Sequence, residues 1–398
     1  MNSISLPRVG LIRGPAAGIT AEMFRGIARY VREHRPWDFY SDGDPMFKPL
    51  PPLSRWKGDG ILCFARTPAS ARDIVQSGIP AVNVSSTRRD LGIPQVVSDN
   101  RHVGRMAAEA LLTTGLNEFG FVGMQGIGWS DDRLSGFAEC LADAGRTVSI
   151  FDPPAKLRQF FLRTTRRRDW RLLQPFLSRW LTSLNRPVGV LACNDVSGRH
   201  VIEACHELGL RIPEQVAIMG VDNEVMRCEL CIPPLSSVDT DQQQIGYDAA
   251  ALLDQLMAGR APPAGPVHVR PKGVVVRQSS DTLAVADEEV ALALSLIREN
   301  GGYGISVGQI ADKSGLSRRM LEIRTKAALG RTLRQELSRV RNERISRLLT
   351  DTDMTLRRIA KAAGFASVAR MAAFFKSHSG MTLSEYRRRY AAAMKASL

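Results

Sequence analysis

The chain has 398 residues, 44% of them apolar and 24% charged, and carries a formal net charge of +14. This length and balance suit two or three packed domains and exclude a disordered chain. No run of about 18 apolar residues occurs, nor a basic segment followed by an apolar one at the start, so a soluble, cytoplasmic protein with no membrane partner is expected.

In chain order, the first three quarters read as alternating strands and helices. Arg8–Ile12 is a strand followed by a glycine-containing loop. Ala21–His34 carries Met23, Phe24, Ile27, Ala28 and Val31 at helical spacing. Asp59–Phe64 is a buried strand, "ARDIVQSG" a helix, "PAVNVS" a strand and "HVGRMAAEALLTTG" a helix. Then come the strand Glu118–Gly123, a helix around Leu134–Ala144, the strand Val188–Cys193, the helix Ser197–Leu208 and the strand Val216–Gly220. Short strands alternating with helices imply parallel sheets built from βαβ units.

Ligands of such sheets bind beyond the carboxyl ends of the strands. Polar residues stand at several of those ends. Asn194 and Asp195 close the apolar run "GVLACND", Asp222 and Asn223 follow "VAIMGV", and Asp99 and Asn100 end "VVSDN". Arg133, in "WSDDRLSGF", follows "FGFVG" by one loop. Guanidinium donors and carboxylate acceptors together suit a polyhydroxylated molecule, whose hydroxyls both give and take hydrogen bonds. Each Asp or Asn is also a residue that caps a helix. The six cysteines are scattered. Cys228 and Cys231 form a lone C-x-x-C without a second pair at zinc spacing, so ordinary packing is expected and no metal.

The last quarter differs. Residues 305–398 hold 20 Lys+Arg against 7 Asp+Glu, a balance of +13, whereas the other 304 residues hold 34 against 33. A near-neutral body with a basic tail points to a polyanion, nucleic acid first. Residues 278–288 read as a linker. In "VGQIADKSGLSRRMLEIRTKAAL", Ile310 and Ala311 form an apolar pair, Gly315 and Leu316 a tight turn, and Met320 and Leu321 a return to the core: a helix-turn-helix. The pattern recurs 49 residues on, with Ile359, Ala360, Gly364, Phe365, Met371 and Phe375 in "TLRRIAKAAGFASVARMAAFFKSHSG". Joined by one long helix, the two units would offer recognition helices to successive major grooves. On the first, Arg318, Arg319, Glu322 and Ile323 are the candidate contacts. Arg takes guanine O6 and N7, and Glu accepts from cytosine N4. On the second they are Val368, Ala369, Arg370, Ala372, Ala373 and Lys376, a set suited to thymine methyls or to phosphates.

The motif chain "GDGIL", "GIPAVNVS", "VVSDNRHVGRMAAEALLTTGLNEFGFVG", "RLSGF", "VGVLACNDVSGRHVIEACHELGLRIPEQVAIMGVDNEV" and "LSSVDTDQQQIGYDAAALLDQLMAG" resembles the sugar-sensing domain of LacI-type repressors, related to periplasmic sugar-binding proteins. The resemblance covers about residues 8–277. It implies an α/β fold, a two-lobed periplasmic-binding-protein-like (type I) sensor with parallel sheets. It also implies a sugar pocket lined by Arg133, Asn194, Asp195 and Asp222, with Asp99 and Asn100 from the first lobe. Those repressors carry a helix-turn-helix ahead of the sensor, whereas here it lies at the other end. Residues 289–392 resemble the AraC-family DNA-binding domain, above all in "RVRNERISRLLTDTDMTLRRIAKAAGFASVARMAAFFKSHSGMTLSEYRR". Thr325 stands where that family usually has a core Phe, and Leu383 replaces a common Pro. The order of the two domains resembles XylR-type xylose-operon regulators.

The resemblance implies a sugar-responsive activator whose effector is xylose or a related pentose and which needs no cofactor. The expected partners are operator DNA, the sugar, RNA polymerase and a second copy in a homodimer. Two other readings remain open at this point. A sugar-metabolising enzyme would explain only the sheet domain, and no phosphate-cradling glycine motif, metal cluster or nucleophile elbow supports it. A sugar-independent architectural DNA-binding protein would explain only the basic tail.

Overall fold

A computed structural model describes residues 6–12, 20–42, 46–154, 157, 167–281, 287–300 and 305–395. The loop expected at 13–19 and the centre of the expected linker, 282–286, lie outside the described residues. The chain forms two compact units, dividing at residues 282 and 283. Among the described residues no helix is long and apolar enough to cross a membrane.

The first unit has two lobes. The strands β1 (Arg8–Ile12), β2 (Asp38–Ser41), β3 (Lys48–Pro49), β4 (Gly60–Cys63) and β5 (Ala81–Asn83) form a parallel sheet in the order β3-β2-β1-β4-β5. β6 (Val96–Ser98) adjoins it through the bridge from Asn83 to Gln95. The second lobe holds β7 (Glu118–Val122), β8 (Ser149–Ile150), β9 (Val188–Ala192), β10 (Val216–Val221), β11 (Ser236–Asp239) and β13 (Gly273–Val275), in the order β13-β11-β10-β9-β7-β8. Here the expectation of parallel sheets needs one correction: β13 runs antiparallel to β11, because the chain re-enters this lobe from the opposite direction. β12 (Val267–Val269) pairs with β6 in the first lobe. β4, β9 and β10 are buried at every position, as central parallel strands covered on both faces must be.

The helices of this unit are α1 (Ala21–Glu33), α2 (Pro68–Ser77), α3 (Asn100–Leu112), α4 (Gly128–Asp143), α5 (Arg167–Ser183), α6 (Asp195–Glu207), α7 (Val225–Glu229) and α8 (Gln242–Met257). α1 and α8 cross so closely that a Cβ on Gly26 would lie 1.9 Å from the Gln243 carbonyl oxygen, and one on Gly246 2.1 Å from that of Met23. α3 and α4 repeat the device with Gly104 and Gly136. α4 begins at Gly128, six residues before the expected Leu134. Its N-cap is Ile127 with no side-chain hydrogen bond, so the usual Ser, Thr, Asp or Asn signal is missing.

Three crossovers join the lobes: Ser98 to Asn100, Asp239 to Gln242 and Val269 to Gly273. They are tied to one another. Asp99 N donates to Val269 O at 2.8 Å, Lys272 N to Asp239 O at 2.9 Å, and Lys272 pairs with Asp241 at 3.1 Å.

The second unit is helical, with α9 (Glu288–Asn300), α10 (Val307–Ser314), α11 (Arg318–Leu329), α12 (Leu333–Asp351), α13 (Leu356–Ala362), α14 (Val368–Ser379) and α15 (Leu383–Lys395). It has two cores. Ile310, Ala311, Leu321, Leu333 and Leu337 belong to one, and Ile345, Leu349, Ile359, Ala360, Met371 and Phe375 to the other. α12 lends its first half to one and its second half to the other. Gly315 at φ 73° and Gly364 at φ 74° make the two turns. Met320 departs from the expectation: it is 46% exposed, and only Leu321 turns inward. Thr325 is fully buried in the first core, its hydroxyl without a hydrogen-bond partner among the described residues. Leu383 is buried in the second.

Candidate functional site

Arg133 is the hub of the cleft. It sits in the second turn of α4, only 5% exposed. Its Nε donates to Asn100 Oδ1 at 2.8 Å, its Nη2 to Asp222 Oδ1 at 3.1 Å and its Nη1 to the carbonyl of Cys193. A buried guanidinium needs several acceptors, and these come from the start of α3 and the ends of β9 and β10. The ring of Trp129, one helical turn before Arg133, lies 5.1 Å from the guanidinium carbon. Sequence reasoning passed over this Trp, although i and i+4 on a helix are neighbours.

Asp222 is the accessible member, with 37% of its side chain exposed. It and Asn223 have φ of 105° and 50°, conformations rare outside glycine. Three successive N–H groups hold that turn: Asp222 N donates to Val238 O at 3.0 Å, Asn223 N to Ser237 Oγ at 2.9 Å and Glu224 N to Asp195 Oδ2 at 2.7 Å. Desolvation in the recess lifts the Asp222 carboxyl above its ordinary pKa, against the opposing pull of Arg133.

The structure separates the other candidates. Asp99 caps α3 by accepting from His102 N at 3.0 Å, and Asn194 caps α6 by accepting from Ser197 N at 2.9 Å. Asp195 is enclosed within the protein. It is 2% exposed and accepts from Ser237 Oγ at 2.6 Å as well as from Glu224 N. Burial first, then repulsion from Asp222, pushes its pKa up to about 7. Asp99 and Asn100 were expected from the first lobe. They lie instead on its exit crossover, and Asn100 opens α3, which packs on α4 of the second lobe. Asn100 Nδ2 reaches back to Ser86 Oγ at 3.1 Å, and Gly128 N donates to Thr87 O at 3.0 Å, so the 86–87 stretch of the first lobe already touches the second.

Cys228 and Cys231 are buried in the second-lobe core, where desolvation raises both thiol pKa values. Among the described residues no group of three or more His, Cys, Asp or Glu is placed to hold a metal.

In the second unit, Arg318 and Arg319 open α11 and are exposed, and Ile323 is 54% exposed. Arg318 lies 3.5 Å from Glu322, so the two neutralise each other on the helix surface. On α14, Ala369, Arg370, Ala373 and Lys376 are exposed, whereas Val368 and Ala372 pack partly against the second core.

A periplasmic binding protein-like domain family matches residues 108–280, and a helix-turn-helix domain family matches residues 310–389. The xylose operon regulatory protein of Haemophilus influenzae is 27% identical over 374 residues, covering 92% of this chain and 94% of its own length. The protein of the same name from Escherichia coli is 26% identical over 388 residues, covering 96% of each. A solved structure of the xylose-binding transcription activator xylR superposes with a TM-score of 0.80 at 25% identity, over 98% of this chain and 99% of that one. A LacI family transcriptional regulator from Mycobacterium smegmatis matches 70% of this chain and 99% of its own at a TM-score of 0.55 and 22% identity, a likeness of fold.

Proposed function

On the premise that the chain is a sugar-sensing, DNA-binding transcriptional regulator and not an enzyme, one that joins a periplasmic-binding-protein-like sensor to an AraC-type helix-turn-helix domain, we propose that D-xylose or a related pentose is its effector. Arg133 carries the reading, since it gathers Asn100, Cys193 and Asp222 at the strand ends facing the cleft. The sugar is held by Asp222, Asn100, Arg133 and the side-chain NH2 of Asn194, whose Oδ1 caps α6. Asp99 and Asp195 support them, one at the hinge and one from behind the turn. A pentose bridging both lobes stabilises the closed form by its differential affinity for that form.

The DNA side follows from exposure. Arg319 and Ile323 read bases, while Arg318 and Glu322 constrain each other. Ala369 and Ala373 meet thymine methyls or the backbone, and Arg370 and Lys376 bind phosphates. The chain works in the cytoplasm as a homodimer that contacts RNA polymerase. An apolar patch supports the dimer: Val225, Met226, Leu230 and Ile232, on α7 and its exit, and Val276 are 58–79% exposed.

Calorimetry with D-xylose, L-arabinose, D-ribose and D-glucose tests the effector. One pentose is expected to bind the wild type, and Asp222→Ala is expected to weaken it by about 2–3 kcal/mol, since a charged hydrogen-bonding partner is lost. Unchanged affinity in that variant would remove Asp222 from the pocket.

A further inference from the structure

Arg277 opens the last stretch of the sensor, 277–281, which leads toward the DNA-binding unit, and its side chain is only 10% exposed. Its guanidinium joins three elements. Nη2 donates to Asn223 Oδ1 at 3.0 Å, Nη1 to Leu235 O at 3.0 Å, and Nε to Glu229 Oε1 at 2.5 Å. Its backbone is locked as well, with Arg277 N donating to Ser236 Oγ at 2.7 Å and Ser236 Oγ donating to Arg277 O at 2.8 Å. Asn223 stands between. Its Nδ2 donates to Asp239 Oδ2 at 3.2 Å, on the strand that enters the second crossover, while its backbone forms the strained turn beside Asp222.

We infer that Asn223 and Arg277 relay effector binding from the Asp222 turn to the connector. The inference rests on the reading of Asp222 as an effector contact. A left-handed turn without glycine has few ways to relax. A ligand that draws Asp222 toward itself shifts Asn223, and the Asn223 amide is bonded at one end to the hinge strand and at the other to Arg277. The guanidinium cannot follow without loosening its hold on Glu229 and the Leu235 carbonyl. The direction in which the connector leaves the sensor then depends on the pocket. Neither Asn223 nor Arg277 needs to touch the sugar.

The test uses the full chain with a duplex that the chain itself selects from a random pool. Two variants are compared with wild type: Arg277→Gln, which removes the charge and fork, and Asn223→Gly, which keeps the left-handed backbone and removes the amide. Saturating D-xylose is expected to change wild-type DNA affinity by about tenfold, within the usual range of coupling between sites. Both variants are expected to bind D-xylose within about threefold of wild type and to lose the response to within about twofold. If Arg277→Gln does not fold, Asn223→Gly decides. A variant that folds and keeps the full response overturns the relay, and so does loss of D-xylose binding in Asn223→Gly, which would make Asn223 a pocket residue. If wild type binds none of D-xylose, L-arabinose and D-ribose, the pentose reading falls and the relay with it. If wild type responds and both variants respond alike, only the relay falls.

Discussion

At Asp195 two hydrogen-bond donors meet a carboxyl whose pKa burial and the nearby Asp222 push up to about 7. An unfolded Asp titrates near about 3.9, so between these values the folded chain holds its proton more tightly than the unfolded chain does. The Asp195 contribution is therefore most favourable in acid and is lost as the pH rises from about 4 to about 7. Asp195→Asn cannot titrate and leaves an amide N–H group facing a donor. The variant is expected to melt lower than wild type at pH 5, with the gap narrowing toward pH 8. A constant gap in thermal melts would mean that Asp195 is ionised throughout. The residue scale is also where the sequence is least legible. An Asp or Asn at a strand end can serve a ligand or cap the next helix, and the letters are the same for both. Asp99 and Asn194 cap, Asp195 braces a turn, and Asp222 stays accessible. Only the hydrogen bonds separate them. Arg133 was legible by its position after a strand, but its fourfold setting of Asn100, Cys193, Asp222 and Trp129 joins segments up to 122 residues apart in number.

Elements were easier to read than residues, because period and length identify them. The buried central strands and α1 lie close to where their apolar spacing puts them. β2 and the edge strands β3 and β8 carry no such run, and α4 lacks a cap at its start. Nothing in the sequence marked the glycine crossings, since a glycine inside a helix shows its reason only when the partner helix is known. Gly136 is the sharpest case: an added Cβ would lie 1.8 Å from the Arg101 carbonyl oxygen. Gly136→Ala must push α3 and α4 apart. It is expected to cost about 1–3 kcal/mol or more, as overpacking does, and to weaken effector binding, because Asn100 and Arg133 ride on those two helices. Gly265→Ala meets no atom within 4 Å and serves as the control. Equal melting temperatures for the two variants would show that the crossing can open freely.

At the scale of the whole molecule, the charge split and the two motif sets separate the units clearly, and the boundary between them less so. Part of the expected linker belongs to the sensor. Ser279 is fully buried, donates to Ile218 O at 2.6 Å and accepts from Ser236 N at 2.9 Å. At the other end, Asp287 pairs with Arg324 of α11 at 2.5 Å. Polar linker composition hid these contacts, since serines fit both a flexible joint and a buried bond. A sensor fragment ending at 281 is therefore expected to be more stable than one ending at 277, by about 1–3 kcal/mol for each buried group left unpaired. Urea midpoints of the two fragments decide the point, and equal midpoints would return 278–281 to the linker. For the basic unit, with +13 over residues 305–398, log DNA affinity should fall with log salt at a slope of about −5 if about six phosphates are neutralised. A flat response would mean that the charge serves another purpose.

The pairing of α1 with α8 has a further consequence, for the order in which the protein is made. The first lobe closes only when Tyr30 meets Asp254 and Gly26 meets Gln243, and the first of these pairs is 224 residues apart. At ribosomal speeds of about 5–20 residues per second, α1 leaves the exit tunnel roughly 10–45 s before its partner exists. The second lobe lies almost wholly between them and can be completed first. During that interval Met23, Ile27 and Tyr30 lack the part of their cover that Ile245, Ala249 and Leu253 of α8 supply. The nascent chain is then a finished domain flanked by an unfinished one, and this stage, rather than the mature fold, is where chaperones and aggregation compete for it.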